Sequence, residues 1–200
     1  GNMPPSGWTA VTTSSGMGTT VVNDPTAAHA GTRGLLATDA SSTEISAQRA
    51  AIEVSIPAGR FEWKADAWVD PMTLILGTSQ SVYPLHFLHG SSYVAAARVY
   101  NNAGTLFAGI AYKKKYGLPF GGVNSTAVVD QNVWKKWTFS LLRIGTRETT
   151  GVLYLDGIEQ VRASWDPGSK KEPSAFRAGI GLSSTGATAT LAVDDVQVAE

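Results

Sequence analysis

Apolar and polar residues alternate along most of this chain with a period of two. The pattern is clearest over Phe61–Asp70, FEWKADAWVD. Phe61, Trp63, Ala65, Ala67 and Val69 share one parity; Glu62, Lys64, Asp66, Trp68 and Asp70 share the other. Successive side chains of a strand point to opposite faces, so this stretch predicts a two-faced strand. Its apolar face must sit on a core. Its second face, with three carboxylates, a lysine and a tryptophan, is either solvent-facing or the floor of a site. Asp70-Pro71 is expected to end it.

The same reading finds strands along the whole chain. Short ones are expected at Trp8–Val11 and Thr19–Val22, and another begins at Leu35, after the turn signal Asn23-Asp24-Pro25. Ser41–Ile56 reads two ways. Ile45, Arg49, Ile52 and Ile56 fit a helical stripe, whereas Ala50, Ile52, Val54 and Ile56 alternate with Ala51, Glu53 and Ser55, which favours a strand for the second half. Met72–Leu76 and Leu85–Leu88 read as short apolar strands around a loop. Tyr93–Tyr100 and Thr105–Tyr112 form a hairpin through Asn101-Asn102-Ala103-Gly104. Lys113–Thr126, rich in glycine and holding Tyr116, Pro119 and Phe120, is expected to be a loop, either a lid or the rim of a cleft. Lys136–Ile144 follows, then a hairpin of Gly151–Leu155 and Ile158–Ala163 on Asp156-Gly157, then Phe176–Leu182 and Thr188–Val198. About twelve evenly spaced strands predict an all-β, two-sheet antiparallel sandwich. The expectation is a single domain over 1–200, with 1–7 as an irregular lead-in.

Composition narrows the function classes. Net charge is zero and charged residues make up 16% of 200, with no basic run beyond Lys113-Lys114-Lys115. Phosphate-driven binding needs clustered cations, so nucleic acid is not expected as a partner. There is no cysteine, which excludes thiolate catalysis, Cys-ligated zinc and disulfides without placing the compartment. No apolar run approaches the roughly 18 residues of a membrane-spanning helix. No signal peptide is visible; the opening Gly1-Asn2-Met3-Pro4-Pro5 reads as a trimmed start, so its absence does not speak against export.

Three stretches in order carry a family resemblance: WKKWTFSLLRI, then GVLYLDGIEQVRAS, then FRAGIGLSSTGATATLAVDDVQV. A Trp-led strand, an Asp-Gly hairpin, a glycine-bearing strand and a final Asp-Asp-Val strand together resemble the laminin-G-like, concanavalin A-like jelly rolls. HAGTRGLL and GRFEWKADAWVD agree in the first half. The resemblance covers roughly Trp8–Val198. It implies two antiparallel sheets, one concave, with sugars bound on or beside the concave face and, in many members, a structural calcium. Members include polysaccharide-cleaving enzymes and pure binders, so the fold does not choose between them.

The candidate chemistry reads as follows. Glu62 and Asp66 stand where glycosidases of this fold resemble one another in carrying catalytic acids. Hydrolysis needs carboxyls roughly 5–9.5 Å apart, but positions four apart on a strand are about 13 Å apart at Cα. This sequence departs from that pattern in its middle Lys64 and its shorter Asp66, and Lys64 between two acids is more simply a cross-strand charge ladder. Trp68 is either a platform for a sugar ring or the underside of a covering layer. His86 and His89 are three apart in a strand, which argues against one shared metal. Arg98 and Tyr100 share a parity and suit hydroxyls or a uronate carboxylate, with Tyr112 near the same hairpin; edge decoration is the other reading. AYKKKYGLPF resembles the Tyr-Lys strand motif of polysaccharide lyases only superficially, and the His/Gln and Arg-rich partners of such lyases are not recognisable. At Asp194-Asp195 the apolar parity flips, which predicts a β-bulge. In related jelly rolls the equivalent Asp often joins a calcium, with further ligands here expected near Asn23 or Asp24; two solvated acids are the alternative.

These readings lead to a non-catalytic carbohydrate-binding or adhesion module of an exported, extracellular or cell-surface protein. Its partner would be a polysaccharide or glycan, and no cofactor is required. The alternatives are a glycoside hydrolase or polysaccharide lyase acting in the concave groove, and a structural or protein-interaction domain without a sugar site.

Overall fold

The computed structural model describes residues 6–12, 19–40, 49–90, 92–114, 121–144, 148–168, 172–181, 184 and 186–199. Residues 41–48 and Tyr116, Pro119 and Phe120 of the glycine-rich stretch lie outside them. In chain order the strands are β1 (Thr9–Thr12), β2 (Thr19–Asp24), β3 (Gly34–Asp39), β4 (Ala50–Ser55), β5 (Glu62–Ile75), β6 (Ser81–His89) and β7 (Ser92–Asn102). There follow β8 (Thr105–Tyr112), β9 (Gly121–Val128), β10 (Lys135–Ile144), β11 (Glu148–Leu155), β12 (Ile158–Trp165), β13 (Ala175–Ile180) and β14 (Thr188–Val198). The helical element among the described residues is one 3-10 turn, Pro25–Ala27, so none is long and apolar enough to cross a membrane.

The strands form two antiparallel seven-stranded sheets. The first runs β1-β4-β13-β6-β7-β8-β9 and the second β12-β11-β10-β5-β14-β3-β2. This is the two-sheet jelly-roll sandwich that the alternation predicts. Trp63, Ala65, Ala67 and Val69 of β5 are buried and meet Trp137 and Phe139 of β10, Leu191 and Val193 of β14 and the facing sheet's Phe87 and Phe176 in one core. Phe87 lies 5.1 Å from Phe176 and 5.6 Å from Phe139, ring centre to ring centre, and such pairs add about 0.5–1.5 kcal/mol beyond their buried area. Tyr112 of β8 stacks on Trp165 of β12, 4.5 Å apart and 14° from parallel, bridging the two sheets along one side.

The structure corrects four expectations. Strand β5 does not end at Asp70-Pro71 but continues to Ile75. The register against β14 shifts between Thr190 and Leu191, opposite Pro71, and that bulge absorbs the missing N–H. Phe61 does not face the core; it is 78% exposed, because Trp63 is already the outermost β5 residue in the core. Strand β6 is longer than Leu85–Leu88, and it carries Pro84 within a second register shift, between Val82 and Leu85. Half of the expected glycine-rich loop is strand β9, paired edge to edge with β8; its sequence GGVNSTAV is poor in strand-forming residues, and only the neighbour recruits it. The alternation of Ala50, Ile52 and Val54 does make a strand, β4.

Candidate functional site

The expected sugar-contacting residues fall on two opposite outer faces of the sandwich. His86, Arg98 and Tyr100 belong to the first sheet. Glu62, Asp66, Trp68 and Asp194 belong to the second. They cannot act on one ligand, and Tyr112 joins neither group, because its ring is in the core against Trp165.

On the first sheet, pairing aligns one row across six strands: Glu53 opposite Arg177, Arg177 opposite His86, His86 opposite Ala96, Ala96 opposite Ala111, and Ala111 opposite Gly122. Directly paired residues share a face, so this row lines the outer surface. Arg177 Nε donates to Glu53 Oε2 at 2.5 Å. One step along, Arg98 lies opposite Gly109. Its guanidinium donates to Asn124 Oδ1 at 2.8 Å and sits 4.9 Å from the centre of the Tyr100 ring. A Cβ on Gly122 would stand 2.5 Å from an Arg98 nitrogen, so that glycine makes the space the guanidinium occupies. Among the described residues no carboxylate pairs with Arg98. The Tyr100 hydroxyl reaches Ser79 Oγ at 3.3 Å.

Beside Arg98 stands a cluster of rings. Tyr93 meets His86 edge-on, 4.9 Å apart, and Tyr83 lies 6.2 Å from Tyr93 and 6.4 Å from His86. His86 is fully buried and packed on the Gly181 backbone, its nearest polar neighbour, and among the described residues neither ring nitrogen makes a hydrogen bond of good geometry. Burial, and then the Arg177 and Arg49 charges, lower its pKa to about 3, so the imidazole is neutral at ordinary pH. Burial and neighbouring Tyr83 raise the Tyr93 phenol well above its usual range, with Arg98 pulling the other way; it keeps its proton. Among the described residues the face therefore carries the guanidinium cations of Arg49, Arg98 and Arg177 and the Glu53 carboxylate, while the His86 nitrogens and the Tyr93 hydroxyl are buried beneath it. Arg49, Arg177, Tyr93 and Asn124 were not among the sequence candidates. Their alternation was visible, but their neighbours are set by strand pairing alone.

On the second sheet Glu62 is exposed, and Asp66 is held 3.7 Å from Lys136 on β10. The two acids stay on one regular strand, with about 13 Å between their Cα atoms. His29, from the segment after the 3-10 turn, lies flat on Trp68 at 3.8 Å and 13° and meets Trp134 edge-on at 5.3 Å. One face of the indole is thus occupied by the N-terminal segment. The third histidine, His89, sits elsewhere, its Nδ1 2.7 Å from Glu172 O; the histidines do not converge.

The parity flip at Asp194 is a bulge, with a register shift between Asp194 and Gln197 and Asp195 at φ 49°. Asp194 is not left in solvent. Its Oδ2 accepts from His29 N and Ala30 N at 2.9 and 3.1 Å, and its Oδ1 from Asp195 N at 2.9 Å. Asp24, expected nearby as a partner ligand, instead caps the 3-10 turn through Thr26 N. Three N–H dipoles directed at the Asp194 carboxylate disfavour a cation there, and among the described residues no three His, Asp or Glu side chains converge as a metal-ligand group. These residues do not fit a structural calcium; the carboxylate is a clamp on the 29–30 backbone.

Comparison with known proteins adds the fold's relatives. No protein-family model matches the chain, and no curated protein matches it in sequence. Solved structures do match in shape. The "Cellulose induced protein, Cip1" superposes with a TM-score of 0.67 at 15% identity, over 96% of this chain and 90% of its own. The endo-beta-1,4-glucuronan lyase from the fungus Trichoderma reesei gives 0.66 at 15% identity, over 97% and 91%. The carbohydrate-binding module CBM66 from Bacillus subtilis gives 0.54 at 13% identity, over 97% and 96%. At such identities the likeness establishes the jelly-roll sandwich and leaves activity to the site itself.

Proposed function

We propose that this chain is a carbohydrate-binding module of an exported protein, and that the outer face of its first sheet takes an acidic, uronate-bearing polysaccharide without cleaving it. The observation that carries the reading is Arg98: a guanidinium held over Tyr100 by Asn124, in space left by Gly122, with no carboxylate partner among the described residues. A planar guanidinium is suited to bidentate contact with a carboxylate. Arg177 and Arg49 add positive charge along the same face, while the tyrosines offer rings and hydroxyls to sugar. That a carbohydrate-binding module and a glucuronan lyase share the fold agrees with this reading.

A lyase is the second reading, favoured by the contact of His86 with Tyr93 beside Arg98. Elimination needs a group that takes the proton next to the uronate carboxylate, with a pKa near the working pH. His86 is a weak base and Tyr93 holds its proton, so the resting face suits binding better than proton abstraction.

Calorimetry with polyglucuronate, alginate and a neutral glucan separates these. Binding of an acidic polymer that weakens with salt, and about tenfold or more in Arg98→Ala, supports the proposal. Failure of both acidic polymers to bind refutes it. Release of unsaturated uronate products, abolished by Tyr93→Phe, would establish the lyase instead.

A further inference from the structure

We infer that the outer face of the second sheet holds a separate site for an uncharged oligosaccharide, built on Phe61 and the polar edge of β5. Strand β14 ends at Val198, with the last contact to β5 from Ala199 N to Lys64 O at 2.9 Å. Strand β5 runs on to Glu62. Beyond the end of β14 an open depression of about 490 Å³ remains, lined by Arg60, Phe61, Glu62 and Lys64. A second, smaller depression of about 120 Å³ shares Lys64 and Ala199 with it and adds Asp66 and Gln197. The larger volume falls in the range of small-ligand clefts, about 300–1,000 Å³.

The lining has the chemistry of sugar recognition. Phe61 is 78% exposed and lines this polar depression. Its flat face suits the C–H face of a pyranose. Arg60 and Lys64 alternate with Glu62 and Asp66, and Lys136 lies 3.7 Å from Asp66, so donors and acceptors of both signs are interspersed. Gln197 supplies an amide, directly opposite Asp66. The first sheet differs on this point, since among the described residues Arg49, Arg98 and Arg177 gather there with the Glu53 carboxylate. A neutral, hydroxyl-rich chain fits the second face, and an anionic one fits the first. The two faces of the sandwich would then hold two glycan chains at once.

Calorimetry with cellohexaose, xylohexaose and mannohexaose tests this on wild type, Phe61→Ala and Arg98→Ala. Because Phe61 lies outside the core, its loss leaves the fold intact. The expected result is that at least one hexaose binds wild type and Arg98→Ala alike, is insensitive to salt, and binds Phe61→Ala about tenfold more weakly or worse. No binding of any of the three at millimolar concentration, or binding unchanged by Phe61→Ala, overturns the inference. Neither outcome depends on the acidic-polymer experiment, which is read through Arg98.

Discussion

Lowering the pH from about 7.5 to about 5 is expected to destabilise the native chain through His86. His86 is 2% exposed and has a pKa of about 3 in the folded chain; unfolded, it returns to about 6.5. Between those values the unfolded state binds a proton that the native state refuses, so stability falls as pH falls. The contribution is complete above about pH 6.5 and fades toward pH 3. Integrating the single-site linkage gives a loss of about 1 kcal/mol at pH 6 and about 2 kcal/mol at pH 5. Most carboxylates are still ionised at pH 5, so the window isolates the imidazole. Urea denaturation at a series of pH values measures it, with His86→Gln as the control. Wild type is expected to lose about 2 kcal/mol across the window and His86→Gln at most a few tenths. The variant starts from lower stability, so the slope rather than the absolute value is the readout. Equal slopes in the two proteins would refute the reasoning, and the picture of a desolvated, neutral imidazole would go with it.

Two further predictions follow from local geometry. Gly122→Ala places a Cβ against the guanidinium at the far end of the Arg98 side chain, whereas Gly109→Ala places one 2.7 Å from the Val123 backbone oxygen; the first should displace that guanidinium and weaken acidic-polymer binding at near-native stability, and the second should cost about 1–3 kcal/mol in urea. Asp194→Ala removes the acceptor for His29 N and Ala30 N and is expected to cost about 1–2 kcal/mol, with the His29 ring leaving Trp68 and tryptophan quenching by acrylamide rising. Unchanged quenching would separate the clamp from the ring stack.

Much of the fold was legible in local pattern. The strict alternation of Trp63, Ala65, Ala67 and Val69 against Glu62, Lys64 and Asp66 specifies a strand with one buried face, because a one-residue slip would turn the whole set outward. Asp156 and Gly157 both take positive φ, as the Asp-Gly turn signal demands. The flip of parity at Asp194 located a bulge. Two local signals mislead: Pro71 signals a stop, although the bulge at Met72, next to it in its own strand, removes its penalty, and the glycine-rich stretch 113–126 signals a loop, although pairing to β8 makes a strand of its second part.

The site was legible residue by residue but not as a constellation. His86, Arg98, Tyr100 and Trp68 were singled out by type, yet type says nothing of which strands become neighbours. Arg177 reaches Glu53 across 124 positions of sequence, and the row from Glu53 to Gly122 exists only once six strands pair in register. The stretch Phe61–Asp70 shows the division most plainly. By itself the sequence determined that it is a strand with an apolar face and a charged one, because side-chain direction follows from backbone geometry. Only the tertiary structure decided that Trp68 lies under His29, that Asp66 pairs with Lys136 and that Phe61 stands free at the end of β14, because those neighbours come from segments whose approach no local period encodes.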